Sequence, residues 1–167
     1  AEGGVNKVTF AGWATDPLNS KSIDDLLEAA IQKKMIFGFN TKPIKVSDKF
    51  VNLLVENDIN PQSWISLSID SGSNEVFNKV HGMNTKSPLY DKIIKNVNRI
   101  KSANLKKRKF DVSAAYLLNK YNSSKNEISK FIEDFKNAGC NLLRFSFAQP
   151  PRGLVDQGKI DTVPLEE

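Results

Sequence analysis

Apolar residues recur along this chain in two alternating rhythms. Ile23, Leu26, Leu27, Ala30 and Ile31 fall at i, i+3, i+4, i+7 and i+8, a spacing that gathers them on one face of a helix. Ser22 just ahead predicts the N-cap, and Asp24 and Asp25 fill the first turn, where the helix dipole favours acids. Phe50, Leu53 and Leu54 predict a second helix, capped by Ser47. Tyr90, Ile93, Ile94, Val97 and Ile100 predict a third. Ile128, Phe131, Ile132 and Phe135 predict the last, opened by a Ser124–Glu127 capping box and closed by Gly139. Short β-rich runs lie between them, at 7–12, 35–41, 64–70, 110–118 and 142–147. Strands that alternate with helices predict parallel βαβ crossovers, hence an α/β fold.

The strands depart from the usual parallel pattern. A parallel strand covered on both faces reads as a nearly continuous apolar run. In 64–70, by contrast, Ile65, Leu67 and Ile69 oppose Ser66, Ser68 and Asp70. In 142–147, Leu143, Phe145 and Phe147 oppose Leu142, Arg144 and Ser146. Ser113 shares a face with Asp111, Ala115 and Leu117, and Gly38 and Asn40 share one with Ile36. Adjacent strands thus each offer one small or polar face. Closed eight-stranded barrels fill their interior with branched apolar residues. Small and polar residues there predict a partial, open TIM-like barrel of about five strands, helices outside and a ligand-holding lumen within. The competing reading is a sheet with one solvated face.

Composition narrows the picture. A length of 167 residues predicts one domain, taken as residues 1–152, with 153–167 as an irregular tail after Pro150-Pro151. No apolar run is long enough to span a bilayer. The net charge of +5 comes from Lys101, Lys106, Lys107, Arg108 and Lys109, without which the chain is close to neutral. That cluster has no aromatic residue among its charges, so it is read as a solvated loop and nucleic acid is not the expected partner. Cys140 is the only cysteine, which excludes an internal disulfide and fits a reducing, cytoplasmic setting. It also cannot hold an iron–sulfur cluster, which takes three or four thiolates. His81 is the only histidine and reads as structural. No dinucleotide fingerprint, P-loop or nucleophile elbow is present.

Five stretches carry a resemblance, the last two as a pair. Ala11-Gly12-Trp13-Ala14-Thr15-Asp16-Pro17-Leu18 follows the first strand, and Trp64-Ile65-Ser66-Leu67-Ser68-Ile69-Asp70-Ser71-Gly72-Ser73 spans the third. Val76-Phe77-Asn78-Lys79-Val80-His81-Gly82 comes next, then the pair Ala115-Tyr116-Leu117-Leu118-Asn119 and Asn141-Leu142-Leu143-Arg144-Phe145-Ser146. In order and spacing they resemble the core of the radical S-adenosylmethionine (radical SAM) superfamily, from its second strand to its sixth, over about residues 5–150. The family's Cys-x3-Cys-x2-Cys loop after its first strand has no counterpart here. The expectation is a truncated core, inactive alone.

The resemblance implies a cofactor, S-adenosylmethionine, and in the full protein a [4Fe-4S] cluster that cleaves it reductively to start radical, oxidoreductase-like chemistry. Carried over by position, Gly12 and Asp16 approach the methionine end, with Asp16 where the family usually has Glu. Ser68 and Asp70 lie near the ribose, and Ser113 and Asn119 complete ribose or carboxylate contacts. Arg144 faces a cofactor carboxylate, a substrate anion, or a structural partner in Asp70 or Asp111. No catalytic or metal-ligating residue is implied in this chain. Two other functions stay open: a cluster-free, aldolase-like lyase, for which Lys42 and Lys45 around Pro43 are the only nearby lysines, and a non-catalytic binding module using the basic patch at 101–109. Open sheet edges predict a homodimer.

Overall fold

The computed structural model describes residues 3–13, 15–83, 86–104 and 110–147. Five strands form one parallel sheet in sequence order: β1 (Lys7–Phe10), β2 (Ile36–Thr41), β3 (Trp64–Ser68), β4 (Asp111–Leu118) and β5 (Leu142–Phe147). Five helices connect or follow them: α1 (Ile23–Gln32), α2 (Asp48–Glu56), α3 (Asn74–Val80), α4 (Leu89–Asn104) and α5 (Lys125–Asn137). Parallel crossovers are right-handed, so strands added always on the same side place every helix on the same face. Among the described residues no further strand pairs with β1 or β5, the arrangement of a partial, open TIM-like barrel.

The core shows which face the helices cover. Phe37 and Phe39 of β2, Ile65 and Leu67 of β3, and Val112, Ala114 and Tyr116 of β4 are buried against Leu27, Phe50, Leu54, Phe77, Ile93, Val97, Phe131 and Phe135 of the helices. Phe39 is its aromatic hub, stacked on Phe10 at 4.6 Å between ring centroids and edge-on to Phe50 at 5.3 Å. The alternate strand residues, among them Asn40, Ser66, Ser68, Ser113 and Arg144, lie outside this core. The alternation read from the sequence therefore separates the two faces of the sheet.

Local chemistry sets the helix ends. The side chain of Ser47 accepts from the Phe50 N–H at 2.9 Å and that of Ser124 from the Glu127 N–H at 3.4 Å. Two details differ from expectation. Ser22 precedes α1 without a side-chain cap bond, and its own N–H donates instead to the Ser20 hydroxyl. The Glu127 carboxylate does not close a capping box, because it accepts from the Gly72 N–H of the β3–α3 loop at 2.7 Å. Helix α3, opened by Ser73, goes beyond the sequence reading. Gly139 takes φ +79° after α5, as a helix-ending glycine does. Lys101, the described member of the basic patch, donates to the Asn137 carbonyl at 2.6 Å. The other members, residues 106–109, and the tail 153–167 lie outside the described residues. Among the described residues no helix is long and apolar enough to cross a membrane.

Candidate functional site

Register turns the polar strand face into layers. Thr9, Gly38, Trp64 and Asp111 are paired across four strands, followed by Asn40, Ser66, Ser113 and Leu142, and then by Ser68, Ala115 and Arg144. The first layer is opened by one substitution of size. Gly38 has no side chain, and an added Cβ would lie 2.3 Å from the Trp64 ring, so the indole occupies the space that glycine vacates. The short side chains of the second layer leave room above the backbone. An open cleft of ≈ 720 Å³ lies over this floor, its lining including Trp64, Ser66, Asp111, Ser113 and Arg144. Arg144 is exposed, and among the described residues it pairs with neither Asp70 nor Asp111.

A second cleft of ≈ 570 Å³ opens at the carboxyl ends of β1 and β2. Gly12, Asp16, Thr41, Lys42, Lys45 and Ser68 line it, and Asn40 belongs to both clefts. Its walls are tightly held. Gly12 sits so close to the Thr15 carbonyl that an added Cβ would lie 1.6 Å from that oxygen. Asp16 caps the short 3₁₀ turn Pro17–Asn19. Its carboxylate accepts from the Leu18 N–H at 3.0 Å, the Thr41 hydroxyl at 2.7 Å and the Lys42 N–H at 2.5 Å. Three of about four lone-pair sites are thereby used. The far wall is anchored to α4, where buried Asn96 donates to the Pro43 carbonyl at 2.8 Å and Arg99 to the Val46 carbonyl at 2.9 Å.

The remaining rim residues form a clamp between the β3–α3 and β4–α5 loops. The strand expected over 64–70 ends at Ser68, because Asp70 adopts a left-handed φ of +60°. Its carboxylate then accepts from the Leu117 N–H at 2.7 Å, taking the place of the next backbone carbonyl in the ladder. Burial pushes the Asp70 carboxyl above the usual carboxylate range, while the Leu117 bond opposes it. Buried Asn122 donates to the Asp70 carbonyl at 2.8 Å and the Leu117 carbonyl at 2.9 Å, and accepts from the Asn119 N–H at 2.7 Å. Asn119 itself turns inward on its own loop, accepting from the Tyr121 N–H at 2.9 Å.

The structure thus brings Gly12, Asp16 and Ser68 to the rim cleft and Ser113 and Arg144 to the floor cleft, whereas Asp70 and Asn119 stand in the clamp. Asn122 and Glu127 were missed as site-building residues. Glu127 carries a sequence signal, but one that points to the helix it opens; a buried asparagine in a polar loop has no sequence signature.

His81 stands behind this rim. Its Nε2–H donates to the Ile69 carbonyl at 3.0 Å, and its ring packs on Phe77 at 4.4 Å. Burial holds its pKa below the ordinary histidine value of 6.5, with Lys42 acting in the same direction and the Ile69 bond opposing. Because the unfolded chain binds that proton more readily, stability is complete above pH 6.5 and falls as pH drops through the lowered folded value. The lone imidazole should give a single NMR titration with its midpoint below 6.5; a midpoint above it would contradict the buried environment.

Cys140 is half-buried, and burial pushes its thiol up to about 12, which disfavours the nucleophilic thiolate at neutral pH. Among the described residues no group of three or more His, Cys, Asp or Glu side chains is placed to hold a metal ion. One protonated thiol does not fit an iron–sulfur cluster.

Fold and clefts together define the class: an open, parallel βα half-barrel with a polar inner face and a ligand-sized rim cleft. The same fold is found in SuiB of Streptococcus suis. The chain aligns with SuiB at 15% identity and a TM-score of 0.64, over 88% of this chain and 30% of SuiB. With SuiB bound to S-adenosylmethionine the values are 15%, 0.63, 86% and 30%. With SuiB bound to its precursor peptide SuiA they are 14%, 0.66, 95% and 31%. The chain therefore spans about 30% of the length of the protein it resembles. Neither a protein-family model nor a curated protein sequence matches it.

Proposed function

We infer that this chain is the S-adenosylmethionine-binding part of a radical SAM enzyme, acting in the cytoplasm. The observation that carries the reading is the polar inner face of a half-barrel whose fold recurs in a protein solved with S-adenosylmethionine bound. The donor set suits that molecule. Ser68 and Asn40 offer small hydrogen-bonding groups for ribose hydroxyls beside the Gly12 turn, and the Asp16 carboxylate keeps one lone-pair site for the α-ammonium. Asp70, held by the clamp, shapes this rim from behind. Bound there, S-adenosylmethionine would supply the reactive sulfonium; this chain's residues orient it and limit access of water. The cluster's thiolates do not come from these 167 residues.

Calorimetry with S-adenosylmethionine tests the reading. Saturable one-to-one binding at about 1 mM or tighter is expected. Ser68→Leu, which fills the rim cleft, should weaken binding at least about tenfold, the equivalent of ~1.4 kcal/mol. Absence of binding, or indifference to Ser68→Leu, would reject it. In parallel, anaerobic treatment with iron and sulfide should leave the protein without stoichiometric iron. The absorbance of a four-iron cluster would mean that these residues hold a cluster after all.

A further inference from the structure

We propose that the floor cleft is a second binding site, adjoining the rim cleft at Asn40, and that it takes a small aromatic carboxylate. Three features of the floor lead there. The Arg144 side chain lines this cleft from the third layer and makes no ion pair among the described residues. A guanidinium so placed is a fork for a planar carboxylate, which it binds through two parallel N–H···O bonds. Next, the Gly38–Trp64 pair is a built feature. The sheet gives up a side chain so that an indole fits over the strand, and the same indole lines the cleft. Pro61, Phe110 and Leu142 extend that apolar wall. Finally, the layer between wall and guanidinium consists of Asn40, Ser66 and Ser113, short groups that leave space and offer hydrogen bonds.

Dimensions agree with the assignment. From the Asp111 layer to the Arg144 layer is four residues along β4, about 13 Å at 3.3 Å per residue. An aromatic ring on Trp64 with a carboxylate two or three bonds away covers part of this distance, and the long Arg144 side chain, which lines the same cleft, makes up the rest. The cleft of ≈ 720 Å³ falls in the range of small-molecule sites. Asp111, the acid in the lining, stands in the first layer and disfavours an anion there, which fixes the ligand's direction: carboxylate toward Arg144, ring toward Trp64. The proposal does not depend on the rim cleft binding S-adenosylmethionine.

The test uses protein labelled with 5-fluorotryptophan, whose two ¹⁹F resonances report Trp13 and Trp64 separately. Titration with 3-phenylpropionate should shift the Trp64 line saturably, with half-saturation at about 1 mM or tighter, and leave the Trp13 line in place. The uncharged 3-phenylpropanol should bind at least about tenfold more weakly. Arg144→Met should cost about tenfold or more while leaving the thermal midpoint unchanged, since the side chain is exposed, and Arg144→Lys should recover part of the loss. Equal binding of acid and alcohol, or no saturation, would overturn the proposal. So would displacement of the probe by S-adenosylmethionine, which would assign Arg144 to that molecule instead. If S-adenosylmethionine fails to bind while the carboxylate still does, the reading of the rim cleft falls and this site stands.

Discussion

Replacing Asn122 by alanine is expected to lower the unfolding free energy by roughly 3 kcal/mol, more than its small change in volume would suggest. Its amide is fully buried and joins two rim loops at once: two N–H groups donate to the Asp70 and Leu117 carbonyls, and the oxygen accepts from the Asn119 N–H. Truncation takes a partner from the Asp70 carbonyl and the Asn119 N–H and leaves the Leu117 carbonyl a long 3.4 Å bond from the Asn119 amide, and each unsatisfied buried group costs about 1–3 kcal/mol. The Tyr116 hydroxyl, which donates to the Asn122 carbonyl at 2.7 Å, keeps its bond and limits the loss. Asn122→Asp separates the contributions. It retains an acceptor for Asn119 but removes both donations and sets a charge against two carbonyls, so it should be no more stable than the alanine variant. Urea denaturation gives the energies, and amide exchange at Leu117 should accelerate as Asp70 is released from its left-handed conformation. A loss below about 1 kcal/mol would mean that the clamp is not what holds this rim.

Phe39→Ala should cost about 3–5 kcal/mol, the range for removing a buried aromatic ring. The ring is fully buried, and Phe10, Phe37 and Phe50 surround it from β1, its own strand and α2. Neighbours drawn from three elements cannot all collapse into the space, so most of the cavity should persist. The denaturation midpoint should fall with little change in slope, because the surface exposed on unfolding is nearly the same. Phe39→Leu, which refills much of the volume, should recover more than half of the loss. Equal losses for the two variants would mean that ring geometry matters more than filled space.

Much of this fold could be read from alternation alone. Ser66 between Ile65 and Leu67, and Ser113 between Val112 and Ala114, assign each strand's two faces because a strand has no other way to separate such neighbours. The cap at Ser47 was legible because one hydroxyl and one N–H three residues on define it. On strands the polar positions Ser68, Ser113 and Arg144 keep the faces that alternation predicts, and Gly12 and Asp16 of the loop after β1 line the rim cleft. On the loops after β3 and β4 the same reasoning stops. Asp70 looked like one more alternating position until its left-handed turn redirected the carboxylate to Leu117. Glu127 looked local, but its partner Gly72 lies 55 residues away. A carboxylate can satisfy either of two N–H groups, and only the packing of α5 against the β3–α3 loop selects between them. Gly72 makes that approach possible, since a Cβ there would meet the Glu127 carbonyl at 2.2 Å.

The strand order β1-β2-β3-β4-β5 also has a kinetic meaning. Every strand pairs with the one made just before it, so a chain emerging from the ribosome can add one βα unit at a time to an existing template. Among the described strands none waits for a partner made much later, which keeps loop-closure entropy low and nucleation early. The clamp bonds come last in that sequence: Asp70 is finished long before Leu117 and Asn122 arrive to hold it. The rim that shapes the cleft is therefore assembled only when β4 and the start of α5 have docked.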